Sequence, residues 1–305
     1  MTVWLPFPYR PGFFDDVPLT IEVCPSSDEM PSDPAGVEFF APPFLSSGPI
    51  VKMVERMPNL KVIQLLSAGA DAWVGRVPDG VTLCDGRGVH NASTSEWALT
   101  AILSYLRQFP RFAVAQSQRH WLTRDDIGLS DELTGKRVLI VGAGAIGESL
   151  TRRLIACEAE VVRVARSARD GVHGVDELPR LLPEVDIVVL ILPLTAETTG
   201  MVDAAFLAAM RDGALLVNAA RGPVVDTEAL MAELASGRLH AALDVTDPEP
   251  LPDDHPLWSL PNVMITPHVG GAVSGLLGRA YGLLHDQLRR YVAGEPLINK
   301  VVGDY

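Results

Sequence analysis

Four polar segments in the second half of the chain carry side chains suited to anion binding and acid–base chemistry. They read NAARG, LDV, DPEP and TPH, and each lies at or close to the end of an apolar run. Arg221 offers a guanidinium fork, which binds a carboxylate and a neighbouring carbonyl oxygen together. His268 can donate a proton near neutral pH, and Glu249 is a carboxylate that could pair with it. Singly, each residue is also typical of a turn, a loop or a core histidine, so the argument rests on their joint order.

A glycine-rich turn precedes these segments. The run VLIVGAGAIG places Gly142, Gly144 and Gly147 after an apolar strand and at the start of a predicted helix. In this setting Gly142 permits a tight turn, Gly144 lets backbone N–H groups approach a pyrophosphate, and Gly147 lets the helix pack closely on the strand. The helix N-terminus then stabilises the negative charge. The motif predicts dinucleotide binding.

The next predicted strand ends without the acidic residue that would hold the ribose 2′-hydroxyl of NAD. The chain reads ARSARD there, so Arg166, Ser167 and Arg169 offer two guanidinium groups and a hydroxyl. A 2′-phosphate is doubly anionic and is well matched by arginine. We therefore predict NADP as the preferred cofactor, with NAD as the alternative. Because Asp170 follows, the two arginines could instead belong to a solvated surface loop.

The segments that must position these groups alternate between strands and helices. From residue 136 the apolar runs RVLIV, EVVRVA, DIVVLILP, ALLVNAA, LHAALDV and NVMITP follow one another, with helical patterns at 146–157 and 226–236. Near-continuous apolar strands are typical of a parallel sheet that helices cover on both faces. In such a sheet the ligand crevice lies at the carboxyl ends of the strands, where the polar segments stand.

The N-terminal part predicts a second, smaller α/β unit. Strands in LTIEV, VEFFA, KVIQLL and VTLCD surround a helical pattern at 50–57. The first ~55 residues carry no motif that is specific to any protein family. A helix from 94 to about 109, stopped by Pro110, should connect the units, and a last helix near 275–293 should return to the first. The sequence thus predicts an α/β fold: a Rossmann-type doubly wound parallel-sheet cofactor domain at 94–274, and a discontinuous flavodoxin-like α/β substrate domain at 1–93 and 275–305.

Composition excludes several classes of function. The 305 residues are 48% hydrophobic and 21% charged, as in an ordered two-domain enzyme. The net charge of -13, without a basic cluster, argues against binding nucleic acid or an anionic membrane. No apolar run approaches the ~20 residues of a membrane span and no signal peptide is recognisable, so we expect a cytoplasmic protein. Cys24, Cys84 and Cys157 stand far apart without nearby histidines, so no metal site is predicted.

Taken in order, three segments resemble the signatures of the D-isomer-specific 2-hydroxyacid dehydrogenase family: NAARGPVVDTEAL, GRLHAALDVTDPEPLPDDHPLW and PNVMITPHVGG. LPLTAETTGMVD, the glycine turn and, more loosely, LLSAGADAW and STSEWALTAIL extend the resemblance over about residues 60–275. It implies an NAD(P)-dependent oxidoreductase acting on a CH–OH group, whose substrate is a short 2-keto or 2-hydroxy acid such as glyoxylate or hydroxypyruvate. Arg221, Glu249 and His268 would be catalytic: Arg221 would bind the substrate, and the Glu249–His268 pair would protonate the developing alkoxide.

The resemblance also implies further site residues. Asp244 would contact the nicotinamide end of the cofactor or support the Glu–His pair. In the turn at 67–71, backbone N–H groups would hold the substrate carboxylate, so the predicted substrate-binding set is Ala68, Gly69, Arg221 and His268. The predicted cofactor-binding set is Gly142, Gly144, Ala145, Ile146, Gly147, Arg166, Ser167, Arg169, Pro193, Thr198, Ala219, Arg221, Asp244 and His268.

Assembly and two other functions are also expectations from the resemblance. Family members commonly pair through the cofactor domain, so we expect a homodimer formed by residues 95–131, where Phe112, Trp121 and Leu122 interrupt a polar stretch. One alternative is the NAD-dependent oxidation of a D-2-hydroxy acid such as phosphoglycerate. Another is a dinucleotide-sensing, corepressor-like binding protein. Glu249, in place of a glutamine, argues against formate dehydrogenase, because that reaction has no proton to shuttle.

Overall fold

The chain is organised around two parallel sheets, one in each of two compact units. The computed structural model describes residues 1–44 and 48–303; residues 45–47 and 304–305, which fall in the predicted substrate domain, lie outside the described residues. The first unit comprises Met1–His90 and Ser274–Tyr305, and the second unit comprises Asn91–Val273.

The first unit contains a five-stranded parallel sheet. Its strand order is β2-β1-β3-β4-β5, which is the flavodoxin-like order 2-1-3-4-5. The described α-helices of this unit are α1 (Pro49–Met53) and α9 (Leu276–Ala293). Two 3-10 turns lie at Pro34–Gly36 and at Val54–Arg56, and the second of them directly continues α1. The strands are β1 (Thr2–Leu5), β2 (Thr20–Val23), β3 (Val37–Phe40), β4 (Val62–Gln64) and β5 (Thr82–Cys84).

The second unit contains a seven-stranded parallel sheet in the order β12-β11-β10-β9-β6-β7-β8. Counted within the unit, this is the Rossmann order 3-2-1-4-5-6 with a seventh strand added, so the predicted fold class is confirmed. The strands are β6 (Arg137–Val141), β7 (Glu160–Ala165), β8 (His173–Gly174), β9 (Ile187–Leu190), β10 (Leu215–Asn218), β11 (His240–Leu243) and β12 (Val263–Ile265).

Seven α-helices are found in the described second unit, and some of them cover the two faces of this sheet. Val188 of β9 packs into an apolar cluster with Phe206, whereas its neighbour Val189 packs into another with Ile102. Successive strand residues point to opposite faces, so an unbroken apolar run is what a sheet covered on both sides requires. The helices are α2 (Asn91–Leu106), α3 (Phe109–Ser117), α4 (Arg124–Ile127), α5 (Ala145–Ala156), α6 (Leu178–Leu181), α7 (Ala204–Ala209) and α8 (Thr227–Ala235), and 3-10 turns lie at Val175–Glu177, Leu182–Glu184, Gly222–Val224 and Pro256–Ser259.

The end of α2 differs from the expectation. The helix ends at Leu106, and the backbone leaves helical geometry at Gln108, whose φ is 57°. Pro110 does not stop a helix; it lies in the first turn of α3, where its missing N–H has no helical partner to lose. The chain therefore changes direction before the proline.

Among the described residues, no helix is both long and apolar enough to cross a membrane.

Candidate functional site

The glycine turn joins β6 to α5 at the carboxyl end of the second sheet. Gly142 has φ 116°, and a Cβ there would lie 1.8 Å from the carbonyl oxygen of Ile191, so only glycine fits. A Cβ on Gly147 would lie 2.2 Å from the Gly142 carbonyl oxygen, so the helix packs directly on the turn. Gly144 is exposed and has no atom within 4 Å of its ideal Cβ position.

The same turn leaves the start of α5 open for an anion. Gly144 is the N-cap of this twelve-residue helix and supplies no side-chain cap, so the first backbone N–H groups, including those of Ala145 and Ile146, are not capped by it. A helix N-terminus of this kind binds phosphate groups. The open face at Gly144 and the uncapped helix start fit the pyrophosphate of a dinucleotide.

Two arginines follow β7, and they have different partners. Arg169 donates from Nη2 to the carbonyl oxygen of Ala143, 2.7 Å away, and is thereby tied to the glycine turn. Arg166 forms an ion pair with Glu197, with 3.0 Å between Nε and Oε2. Both side chains of this pair are exposed, and Ser167 between the arginines is exposed as well. The three predicted 2′-phosphate ligands therefore lie at one loop beside the glycine turn.

The segment after β9 carries two more predicted cofactor residues. Thr198 donates its hydroxyl to the carbonyl oxygen of Pro193, 2.7 Å away, and accepts from the backbone N–H of Thr195 at 2.8 Å. These bonds fold residues 193–199 into a compact turn. Ala219, which follows β10, donates its N–H to the Leu190 carbonyl at 3.1 Å, so it lies beside the end of β9.

Arg221 is held at the end of β10 by a buried amide. Asn218 is only 1% exposed; its Oδ1 accepts from the N–H of Ala220 at 3.0 Å, and its Nδ2 donates to the Arg221 carbonyl at 3.1 Å. The guanidinium of Arg221 is half-buried and donates to the Ala220 carbonyl at 2.8 Å. A Cβ on Gly222 would lie 1.9 Å from the Thr246 carbonyl oxygen, so the loops after β10 and β11 touch here.

Asp244, at the end of β11, binds the turn that carries His268. Its Oδ1 accepts from the hydroxyl of Thr266 at 2.6 Å and from the N–H of Val269 at 2.9 Å, and its Oδ2 accepts from the N–H of Gly270 at 2.8 Å. The side chain is 5% exposed. Both of its oxygens are therefore engaged by the turn on either side of His268, and the role predicted for Asp244 in the site stays a prediction.

His268 and Glu249 form the direct contact that the sequence predicts. Nδ1 of the imidazole lies 2.6 Å from Oε1 of Glu249, and the two side chains are 24% and 40% exposed. The backbone N–H of His268 donates to the Asp244 carbonyl at 2.7 Å, which holds the residue at φ 54°. With Nδ1 engaged by a carboxylate, Nε2 is the ring nitrogen left to exchange a proton with a bound molecule.

The first unit contains the turn predicted to bind a carboxylate. Ser67 donates its hydroxyl to the Gly69 carbonyl at 3.1 Å, and its own carbonyl accepts from the N–H of Gly86 at 2.7 Å. A Cβ on Gly86 would lie 2.4 Å from the Leu66 carbonyl oxygen, so the loop after β5 packs against this turn. Ala68 and Gly69 are half-buried. Their predicted role in substrate binding stays a prediction.

Three residues near the site, Trp97, Thr266 and Glu197, were not among the predicted site residues. The indole N–H of Trp97, on α2, donates to the Thr266 hydroxyl at 3.0 Å, and this hydroxyl donates to Asp244. Glu197 pairs with Arg166. No sequence signal links residues 97 and 266 or 166 and 197, because these contacts arise only when the chain is folded. Thr266 in TPH and Glu197 in TAETTG were visible only as parts of longer motifs.

Within residues 1–44 and 48–303, no group of three or more histidine, cysteine, aspartate or glutamate side chains is placed to hold a metal ion.

Comparison with known proteins gives one consistent family. Residues 99–270 match the family described as D-isomer specific 2-hydroxyacid dehydrogenase, NAD binding domain. The chain is 34% identical over 232 residues to glyoxylate/hydroxypyruvate reductase A of Serratia proteamaculans, covering 72% of this chain and 73% of that protein. It is also 29% identical over 274 residues to a formate dehydrogenase of Arabidopsis thaliana, covering 86% and 71%.

A solved structure of similar length has the same architecture. It is a D-isomer specific 2-hydroxyacid dehydrogenase from Xanthobacter autotrophicus in complex with NADPH and MES, with a TM-score of 0.82 and 30% identity, covering 99% of this chain and 97% of that one.

Proposed function

Because the chain belongs to the D-isomer specific 2-hydroxyacid dehydrogenase family and is thereby an NAD(P)-dependent oxidoreductase of CH–OH groups, we propose that it reduces a short 2-keto acid such as glyoxylate or hydroxypyruvate. The observation that carries this proposal is the Glu249–His268 contact of 2.6 Å at the carboxyl end of the second sheet. A carbonyl reduction needs a proton donor for the developing alkoxide, and an imidazole paired with a carboxylate is suited to that task.

Arg221 binds the substrate in this proposal. Its guanidinium fork can hold a carboxylate oxygen and the neighbouring carbonyl oxygen of a 2-keto acid together, and thereby polarise the carbonyl. His268 then donates its proton from Nε2 to that carbonyl oxygen, while Glu249 keeps the ring oriented through Nδ1. NADPH, when bound, supplies the hydride. In the first unit, the backbone N–H groups of Ala68 and Gly69 are the proposed partners of the substrate carboxylate.

The cofactor proposal rests on the glycine turn and the loop after β7. The open backbone at Gly144 and the uncapped start of α5 suit a pyrophosphate. Arg166, Ser167 and Arg169 suit a 2′-phosphate, which favours NADP over NAD. The solved structure from Xanthobacter autotrophicus, which was obtained with NADPH, adds support. Pro193, Thr198, Ala219, Asp244 and His268 complete the proposed cofactor set.

Glu249 separates this proposal from formate oxidation, although a formate dehydrogenase is among the relatives. Formate oxidation releases carbon dioxide by hydride transfer alone, so an ionisable partner for His268 has no proton to manage there. A keto-acid reduction consumes one proton in each turnover, and the carboxylate of Glu249 helps His268 to regain it.

We also propose a homodimer that forms through residues 95–131. Phe109, Val114 and Trp121 are 61%, 57% and 88% exposed, whereas Phe112 and Leu122 are half-buried. Large exposed apolar side chains clustered in one segment are typical of an interaction surface. A molar mass equal to one chain, constant on dilution in analytical ultracentrifugation, would contradict the dimer. The cytoplasmic location predicted from the composition stays a prediction.

The experiment is a set of initial rates followed by the absorbance of the reduced nicotinamide. The purified protein is assayed with NADPH and with NADH against glyoxylate, hydroxypyruvate, pyruvate and bulkier 2-keto acids. We expect NADPH-dependent turnover of a short acid, which His268→Ala abolishes without loss of NADPH binding. Tight NADPH binding without turnover of any 2-keto acid, or of any D-2-hydroxy acid with the oxidised cofactor, would refute the enzymatic proposal and favour a dinucleotide-sensing role.

A further inference from the structure

Glu197 places a carboxylate at the loop where the cofactor's adenosine ribose is proposed to bind. Strand β7 ends at Ala165 without an acidic residue, and the position of the usual ribose-binding acid is taken by Arg166. Glu197 reaches this position from a different loop, the one that follows β9. Its Oε2 lies 3.0 Å from Nε of Arg166, and the two side chains are 69% and 60% exposed.

We propose that Glu197 holds the ribose 2′-hydroxyl of NADH, and that its pairing with Arg166 lets one site accept either cofactor. This inference rests on the proposed function. A 2′-hydroxyl is a hydrogen-bond donor and needs an acceptor such as a carboxylate, whereas a 2′-phosphate offers only negative oxygens and needs guanidinium groups. The Arg166–Glu197 pair contains one group of each kind.

The two cofactors use the pair in different ways. With NADH the ion pair stays intact, Oε2 remains on Arg166, and the carboxylate of Glu197 accepts a hydrogen bond from the 2′-hydroxyl. With NADPH the 2′-phosphate takes Arg166, and Glu197 turns away into solvent, which its exposure permits. Arg169 keeps its bond from Nη2 to the Ala143 carbonyl, at 2.7 Å, with either cofactor, so it does not change partner, and its other N–H groups can still face a 2′-phosphate. Arg166 is therefore the arginine whose partner changes.

Moving Arg166 from Glu197 to the 2′-phosphate costs little binding affinity. Exposed ion pairs contribute little to stability, so breaking this one weakens NADPH binding by at most about fivefold. The hydrogen bond from a hydroxyl to a carboxylate is charge-assisted, so losing it weakens NADH binding by about tenfold. Glu197 therefore reduces the ratio of NADPH affinity to NADH affinity in two ways, by weakening the binding of NADPH and by strengthening the binding of NADH.

The test is direct binding of NADPH and NADH by isothermal titration calorimetry, which needs no turnover. In Glu197→Ala we expect the Kd for NADPH to fall by about two- to fivefold and the Kd for NADH to rise by about tenfold, because the carboxylate is lost to both. Glu197→Asp should restore part of the NADH affinity. The matched control is Glu184→Ala, which removes another exposed carboxylate of the second unit, one that pairs with Arg137 at 2.6 Å. It should leave both constants unchanged.

The outcomes separate the two proposals. If the wild-type protein binds neither dinucleotide, the proposed function fails, and this inference fails with it. If it binds NADPH and Glu197→Ala leaves the NADH affinity unchanged, only this inference is overturned. A parallel loss of affinity for both cofactors would show that Glu197 supports the fold of its loop, which also overturns the inference. Opposite shifts in the two affinities, absent from the Glu184 control, support it.

Discussion

Replacing Gly144 with alanine tests the cofactor site without disturbing the fold. The backbone of Gly144 has φ -89° and ψ -167°, an extended conformation that alanine adopts freely, and nothing lies within 4 Å of the ideal Cβ position. A methyl group there would project into the open face of the glycine turn. This is the face over which the pyrophosphate is proposed to approach the start of α5.

The expected effects on stability and on binding have opposite signs. An alanine that fits its backbone conformation raises the free energy of unfolding by about 0.4–1 kcal/mol. Loss of a hydrogen bond to a charged phosphate costs about 1.5–3 kcal/mol, so the Kd for NADPH should rise by at least about tenfold. Gly142→Ala is different: its φ of 116° alone costs about 1–3 kcal/mol, and the Cβ would meet the Ile191 carbonyl at 1.8 Å. That variant should lose stability and binding together.

Thermal unfolding followed by circular dichroism measures the change in stability, and NADPH titration followed by the fluorescence of the reduced nicotinamide measures the change in Kd. Gly282→Ala in α9 is the matched control, because its Cβ also meets nothing within 4 Å and the residue lies in the first unit. It should leave NADPH binding unchanged. If Gly144→Ala is folded at least as stably as the wild type and keeps the wild-type Kd for NADPH, the pyrophosphate does not pass over Gly144, and the assignment of this turn is wrong.

Three further perturbations address the acid–base pair, the turn that carries it and the pH dependence of stability. Glu249→Gln removes the charge that lies 2.6 Å from Nδ1 of His268, so kcat for keto-acid reduction at pH 7 should fall by at least about tenfold in steady-state assays, and an unchanged kcat would rule out the pair. Thr266→Val breaks the bonds to Trp97 and Asp244, so kcat should fall by a larger factor than the Kd for NADPH rises, because most of the proposed cofactor set is left in place. Thr266→Ser should restore kcat, and equal losses in both variants would contradict this role. Burial lowers the pKa of His240 from its ordinary value of 6.5. The unfolded chain therefore binds a proton at His240 more readily than the folded chain does. The stability that the neutral imidazole contributes above about pH 6.5 is lost as the pH falls through and below that value. His240→Leu should therefore flatten the fall in melting temperature between about pH 7.5 and pH 5.5, and an unchanged slope would assign the effect to other groups.

The second unit was predictable because its signals are local and strong. Its central strands β6, β9 and β10 are buried on both faces and bounded by turn residues, and the glycine turn sits between a strand and a helix. The bounds of α5 and α8 lie within one residue of the predicted helices. The Glu249–His268 contact was also expected, although it joins residues on different loops, because the family resemblance implies the pair.

The first unit was harder to predict. Strand β1 has only four residues, TVWL, and prolines follow it closely, so its pattern is too short for a periodic signal. In the folded chain it lies between β2 and β3, and Trp4 and Leu5 are completely buried. Its strand character comes from the neighbours that pair with it. The link from Trp97 to Thr266 has the same origin, since an indole N–H and a hydroxyl 169 residues apart carry no mutual signal.

The contact at Gly222 has a consequence for engineering new specificity. A side chain at this position would collide with the Thr246 carbonyl, and Thr227 donates its hydroxyl to the Asp247 carbonyl at 2.8 Å, so the two loops are joined at two points. One loop carries Arg221 and the other carries Glu249. Mutating the residues of only one loop, or replacing one loop with that of a relative, would therefore displace the other loop and the site residue that it carries. Residues 219–227 and 244–250 should be exchanged as a single cassette.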